Sequence, residues 1–365
     1  MKKTLSLILL ILLQVCIAGG QVKQKITILH TNDLHSHFQG FAPESAYTPA
    51  TVGDDKTTGG FSRIASIITR EKAGNPSATL VVDAGDCMMG TIFQSLELYS
   101  GFELGLMKRA GYDIVALGNH DFDMGPARYA RMVNVAASEG QIPQLVLTNA
   151  VTDPNDDADD SFQELYDRGL LNRYIITERD GIKIGIFSLI GKDADDSAPY
   201  APPVTFAPNI KAASRMVCKL MGMGCRVIIC LSHSGVTLLK NGKWDGEDVE
   251  LARRVKGIDL IVSGHTHTLL EKPVLVNGVP IVQVGSAGRY VGKVELWWDG
   301  SKVSFGSYEA IPVNDDIAGD PLIQSMIDQQ EKKIDFQILK PLGLACTMPV
   351  AVASFPLTCE EYGDV

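Results

Sequence analysis

Basic side chains are in short supply: the 365 residues carry 33 Lys and Arg against 43 Asp and Glu. An acidic surface repels polyanions, which argues against long nucleic acid as a partner. A small phosphate ester stays open as a ligand if bound cations supply local positive charge. Long apolar runs are also scarce. The one at the start, Leu5 to Leu13, is shorter than the roughly 20 residues a membrane-spanning helix needs, and no later segment qualifies, so no transmembrane segment is expected. Cysteine is sparse, and the seven that occur follow no zinc-ribbon or zinc-finger spacing.

The short apolar run has another use. Lys2 and Lys3 precede it and Ala18-Gly19-Gly20 follow it, the layout of a secretory signal cleaved after Gly20. Export to a periplasm or to the medium follows. Cys16 offers a lipoprotein alternative, for which Gln14-Val15 is a poor approach. Cleavage leaves 31 basic against 43 acidic side chains, a net charge of about −12. Export permits disulfides. Cys218 with Cys225 and Cys346 with Cys359 are candidate pairs, whereas Cys230 lies inside an apolar run and reads as a buried thiol. Six cysteines allow 15 complete pairings, so no pairing is fixed.

With 45% hydrophobic and 21% charged residues, the rest is ordinary globular sequence. Strand-like runs at Lys25–His30, Thr79–Val82, Asp113–Leu117 and Gln144–Leu147 alternate with helical spacing at 61–72, 92–110 and 126–138. Asp153 to Asp160 reads as a solvated acidic loop. A hairpin around Asp180-Gly181 follows, then a helix over 210–220, a strand at 227–231, a helix over 248–255 and a strand at 259–262. The segment 274–308 looks like antiparallel strands. A last helix opens at Asp320-Pro321, with Leu322, Ile323, Met326 and Ile327 on one face. This order predicts an α/β or α+β layered fold with mixed sheets.

Five of the apolar runs end in metal-type ligands: Asp33 and His35; Asp86; Asn119 and His120; His233; His265 and His267. Ligands of α/β sheets gather at the carboxyl ends of strands, so shared sheets would bring all of these together. Five of the seven histidines belong to this set, and His30 and His37 lie within a few residues of it. Imidazole, carboxylate and amide suit Zn²⁺, Mn²⁺, Fe or Co²⁺ better than Ca²⁺ or Mg²⁺. Asp33, His35, Asp86, Asn119, His233, His265 and His267 are too many for one tetrahedral ion and about right for two. A pair of cations roughly 3.5–4 Å apart clamps the attacking and leaving oxygens of a phosphoryl displacement.

The series Asp-x-His, Gly-Asp, Gly-Asn-His-Asp and Gly-His-x-His resembles the calcineurin-like metallophosphoesterase superfamily. Gly118-Asn119-His120-Asp121-Phe122-Asp123 and Gly264-His265-Thr266-His267 resemble the N-terminal metal domain of the secreted 5′-nucleotidase family, over about residues 25 to 335. The resemblance implies a four-layer α/β/β/α sandwich with two mixed sheets. It implies that Asp33, His35 and His267 hold one divalent metal ion, that Asn119, His233 and His265 hold the other, and that Asp86 bridges them. His120 and Asp123 match the catalytic pair: His120 donates to the phosphate, Asp123 orients His120, and a metal-activated water attacks.

Residues 1–20 are thus expected to be a signal, 21–336 the metallophosphoesterase domain and 337–365 a tail, without the usual C-terminal nucleotide-binding domain. The expected activity is hydrolysis of a phosphate monoester such as a 5′-nucleotide, with a separate chain as a possible substrate-binding partner. The alternatives are a cyclic-nucleotide phosphodiesterase or broad phosphatase, and an inactive metal-binding scaffold. The presence of His120, which a scaffold does not need, argues against the last.

Overall fold

The computed structural model describes residues 23–41, 47–349 and 351. The expected signal, Cys16 and Cys359 lie outside them. The principal strands are β1 (Gln24–Thr31), β2 (Thr79–Asp83), β3 (Ile114–Ala116), β4 (Gln144–Val146), β5 (Leu171–Asn172), β6 (Ile175–Arg179), β7 (Ile182–Ile190), β8 (Val227–His233), β9 (Leu260–Ser263), β10 (Val274–Val276), β11 (Val279–Val282), β12 (Tyr290–Trp298) and β13 (Val303–Pro312). They form a seven-stranded sheet in the order β13-β12-β1-β2-β3-β4-β5 and a six-stranded sheet in the order β10-β11-β9-β8-β7-β6. Both sheets are mixed. β1 to β5 run parallel, as do β7, β8, β9 and β11, while β12, β13, β6 and β10 join antiparallel.

Strand alternation builds the layers. Ile26, Ile28, Leu80, Val82, Ile114 and Ala116 of the first sheet face Ile184, Ile186, Ile229, Leu231, Leu260 and Val262 of the second in one buried cluster. The intervening residues, Leu29, Val81 and Val115, point the other way, into helices Phe61–Gly74, Pro126–Glu139 and Pro321–Ile334. On the far side, Phe187, Ile228, Cys230 and Ile261 pack on helices Asn209–Gly222 and Glu247–Arg254. This is the α/β/β/α sandwich. Burial of each such apolar side chain is worth about 1.5–3 kcal/mol, so the seam holds the two sheets firmly against each other.

Local signals predicted most elements well. Asp320 caps the last helix by accepting from Leu322 N and Ile323 N, and Asp180 and Gly181, both at positive φ, turn the β6–β7 hairpin. Three expectations are corrected. The acidic run Asp153 to Asp160 is a loop only in part: Asp157–Asp159 forms a 3₁₀ turn, and Asp160 opens a helix to Asp167 that buries Phe162 and Leu165. In the last helix, Ile323, Ile327, Gln330 and Ile334 face inward while Leu322 is exposed. Cys218 and Cys225 are free thiols, one exposed and one buried.

Candidate metal centre

The parallel strands of both sheets deliver their carboxyl ends to one place. β1 runs into Asp33 and His35, β2 into Asp86, and β3 into Asn119 and the short 3₁₀ turn His120–Phe122. β8 ends on His233, and β9 leads to His265 and His267. Side chains from the two sheets meet directly. His233 Nε2 lies 3.0 Å from Asp86 Oδ2 and 3.1 Å from Asn119 Oδ1. His265 Nδ1 is 3.0 Å from Asn119 Oδ1, and His35 Nε2 is 2.9 Å from His267 Nε2. Asp33 Oδ1 sits 3.6 Å from His267 Nε2, 3.9 Å from His233 Nε2 and 4.0 Å from His35 Nε2. All seven candidate ligands therefore form one connected cluster.

Backbone strain sets much of this arrangement. Asp33, His35, Asp86, His265 and His267 all have φ between 49° and 79°. This left-handed region costs non-glycine residues of order 1–3 kcal/mol each, and such residues gather at functional sites. Gly118 admits the close approach of β3 to Asp86, since a Cβ there would lie 2.2 Å from Asp86 Oδ1. His120 N donates to that same oxygen at 2.8 Å.

The donor set fits divalent cations. His35 Nδ1 donates to Met89 O and His233 Nδ1 to Ala84 O, which turns each Nε2 toward the cluster, where its lone pair would serve a bound cation. His35 Nε2 and His267 Nε2 approach to 2.9 Å, an arrangement that a shared cation would bridge. Asp33 and Asp86 are buried, and among the described residues only histidines form ion pairs with them. Two groups have ligand atoms all within 4.8 Å of one another: Asp33, His35 and His267, and Asp33, Asp86 and His233. Asp33 belongs to both groups; Asp86 belongs only to the second.

The electrostatics tell the same story. Burial pushes the Asp33 carboxyl up to about 7. Burial disfavours the His233 cation, yet the facing Asp86 and Asp33 carboxylates raise it to about 10. Asp86 is buried too, but His233, His35 and His120 hold it well below the usual carboxylate range. Burial and the His35 ring push His267 down to about 4. The Asp86 carboxylate thus stands against the His233 imidazolium, while burial leaves Asp33 short of a countercharge among the described residues.

His120 stands beside the cluster, its ring centroid 5.3 Å from that of His35. Its Nδ1 bonds Asp123 Oδ2 at 2.7 Å, which fixes Nε2 as the outward-facing nitrogen. Partial burial opposes the charged ring, but the Asp123 bond and the nearby carboxylates raise its pKa above the ordinary value.

Not every nearby group joins the cluster. His37 turns its Nδ1 back to His35 O at 2.8 Å and lies beside Phe41. His30 is buried between the sheets against Tyr308, and neither of its ring nitrogens has a partner among the described residues. Asp121 accepts from Gly118 N beneath the loop, next to the Cys87 thiol. Asp193 was missed by the sequence reading; its Oδ2 lies 3.1 Å from His265 Nε2. The strand-end rule reaches it once applied to a sixth strand, because β7 ends at Ile190 and Gly191-Lys192-Asp193 follow.

The calcineurin-like phosphoesterase family model matches residues 26–269. The chain is 30% identical to a 5′-nucleotidase of Bos taurus over 344 residues, 87% of this chain and 54% of that protein. It is 30% identical to a probable 5′-nucleotidase of Treponema pallidum over 285 residues, 75% of this chain and 43% of that one. Among solved structures, a 5′-nucleotidase precursor from Thermus thermophilus superposes with a TM-score of 0.69 at 26% identity, over 87% of this chain and 60% of that one. The chain spans about half the length of the curated relatives it matches.

Proposed function

The chain belongs to the calcineurin-like phosphoesterase family, and from that premise we propose that it is an exported hydrolase of phosphate monoesters, 5′-nucleotides foremost, that works with two divalent cations. The observation that carries this reading is the meeting of seven cation-type ligands from both sheets beside the His120–Asp123 pair. Asp33, His35 and His267 would hold one cation and Asn119, His233 and His265 the other, with Asp86 between them. Zn²⁺, Mn²⁺, Fe or Co²⁺ suits these donors. Bound there, such cations supply Lewis acidity to the phosphoryl oxygens and lower the pKa of a water.

The chain's own groups supply the rest. Asp123 holds His120 so that Nε2 points outward, where it donates to a phosphoryl oxygen as charge builds up. The left-handed backbone at five ligand positions fixes the donors before substrate arrives, so little reorganisation is needed at the moment of reaction. Residues 21–336 form the hydrolase unit in this reading, following a cleaved signal at 1–20, with 337–365 as a tail. A nucleoside-reading surface would come from outside this unit.

The test is hydrolysis by the purified mature chain with Mn²⁺ and then with chelator, using a 5′-nucleotide, an aryl phosphate monoester and a cyclic phosphodiester. Chelator-sensitive release of phosphate from the monoesters is the expected result. Preference for the cyclic diester would replace this reading with the phosphodiesterase one. Bound cations without turnover on any ester would leave only a metal-binding scaffold.

A further inference from the structure

We propose that Asp193 is a positioning residue for the metal centre: its carboxylate accepts from His265 Nε2–H and so turns the Nδ1 lone pair of that ring toward the cation. The inference rests on the reading of His265 as a ligand. A neutral imidazole has one N–H and one lone pair, and an acceptor on one nitrogen selects which is which. At His35 and His233 the outer partner is a peptide carbonyl on Nδ1, and Nε2 faces inward. His265 is the reversed case. Its Nδ1 faces Asn119 Oδ1 at 3.0 Å, and its Nε2 meets a carboxylate at 3.1 Å. Among the described residues no other acceptor holds the proton on Nε2, so without Asp193 the ring is free to adopt the tautomer that cannot bind a cation through Nδ1.

The support for Asp193 is built into the fold. It sits on the short helix Lys192–Asp196 that follows β7. The Glu247 carboxylate accepts from Lys192 N at 3.0 Å and from Asp193 N at 2.9 Å, which pins the first turn. Gly191 N donates to His233 O at 2.9 Å, tying the same segment to a neighbouring candidate ligand. Only glycine allows this docking: a Cβ at Gly191 would lie 2.6 Å from Ser234 Oγ and 2.9 Å from Glu247 Oε1. The Asp193 side chain is 76% exposed while that of His265 is 13% exposed. Solvent therefore competes for the carboxylate, and its effect falls on cation affinity rather than on folding.

The experiment is calorimetric titration of Mn²⁺ into the chelator-stripped full chain, with the visible spectrum of the Co²⁺-loaded protein as a second readout. Asp193→Ala should weaken the affinity for one cation by about 10–100-fold, shift the Co²⁺ ligand-field bands and leave the melting temperature of the stripped protein unchanged. Asp193→Glu, which keeps a carboxylate within reach, should recover most of the affinity. His265→Ala is the control and should lose one cation outright. Loss of a cation in His265→Ala, with Asp193→Ala binding like the parent, would overturn the positioning role alone. Full stoichiometry in His265→Ala would instead overturn the ligand reading beneath it.

Discussion

Asp55 and Asp315 stand in one acidic cluster and Asp33 and Asp86 in another, and the two differ in what faces them. Asp54, Asp55 and Asp315 have the spacing of a cation site. There, however, the buried Arg63 guanidinium lies 2.8 Å from Asp55 and 3.3 Å from Asp315. Its remaining donors reach Thr57 Oγ1 and Ile317 O. Asp55 is correspondingly held well below the usual carboxylate range, with backbone and hydroxyl donors from Thr48 and Thr57 outweighing its burial. At the strand ends no guanidinium or ammonium pairs with Asp33 or Asp86 among the described residues, and Asp33 is pushed up to about 7. Clustered carboxylates alone therefore do not identify a metal site; the permanent countercharge, or the lack of it, decides.

Substitutions can break that contrast. The largest effect is expected for Asp86→Ala, which removes the carboxylate assigned to both cations. Elemental analysis should find neither ion bound, with hydrolysis lost; two ions still present would refute its bridging role. Next comes His120→Ala, which keeps both ions and lowers turnover by about 10²–10⁴-fold. Unchanged turnover there would remove the acid role of His120. Arg63→Met should cost about 3–5 kcal/mol in denaturant unfolding, because two buried carboxylates lose their cation, while the ion content stays at the parental value. A shift in ion content would mean that the two clusters are not independent.

An effect confined to acid pH concerns His30. Burial drives its pKa down to about 3, against about 6.5 in an unfolded chain. Below pH 6.5 the unfolded state binds the proton and the folded state does not, so stability falls as pH drops from 6.5 toward 3. His30→Leu should flatten that part of the stability curve relative to the parent. Identical acid slopes in the two proteins would show that His30 is charged or solvated in the folded state.

How far the sequence carries the structure depends on how local the cause is. The strand ends bearing Asp33, Asp86, Asn119, His233 and His265 were legible because an apolar run followed by a polar turn is written in consecutive residues. The Asp320 cap was legible for the same reason. Helix Asp160–Asp167 was hidden because its acidic start has loop composition, and its apolar face amounts to little more than Phe162 and Leu165. The exposure of Leu322 depends on how the last helix sits on its neighbours, which its own spacing does not record. Asp193 is 72 residues from His265, and only the docking of Lys192–Asp196 beside β8 brings them together. The left-handed backbone at the ligands has no signal in residue type, since Asp and His tolerate it without requiring it.

The ligand sets also have a mechanical meaning. Asp33 and His35 leave one sheet and His267 the other; Asn119 belongs to the first sheet, His233 and His265 to the second. Each cation would therefore rivet the two halves of the sandwich at their common rim, as a disulfide rivets two loops, but reversibly and without cysteine. Stripping the ions should let the sandwich gape from that rim. Amide exchange should then quicken first at Leu231, Ser232 and Val262, near the rivets, while the helices on the outer faces keep their protection. Exchange that quickened evenly across all four layers would show instead that the ions do not fasten the seam.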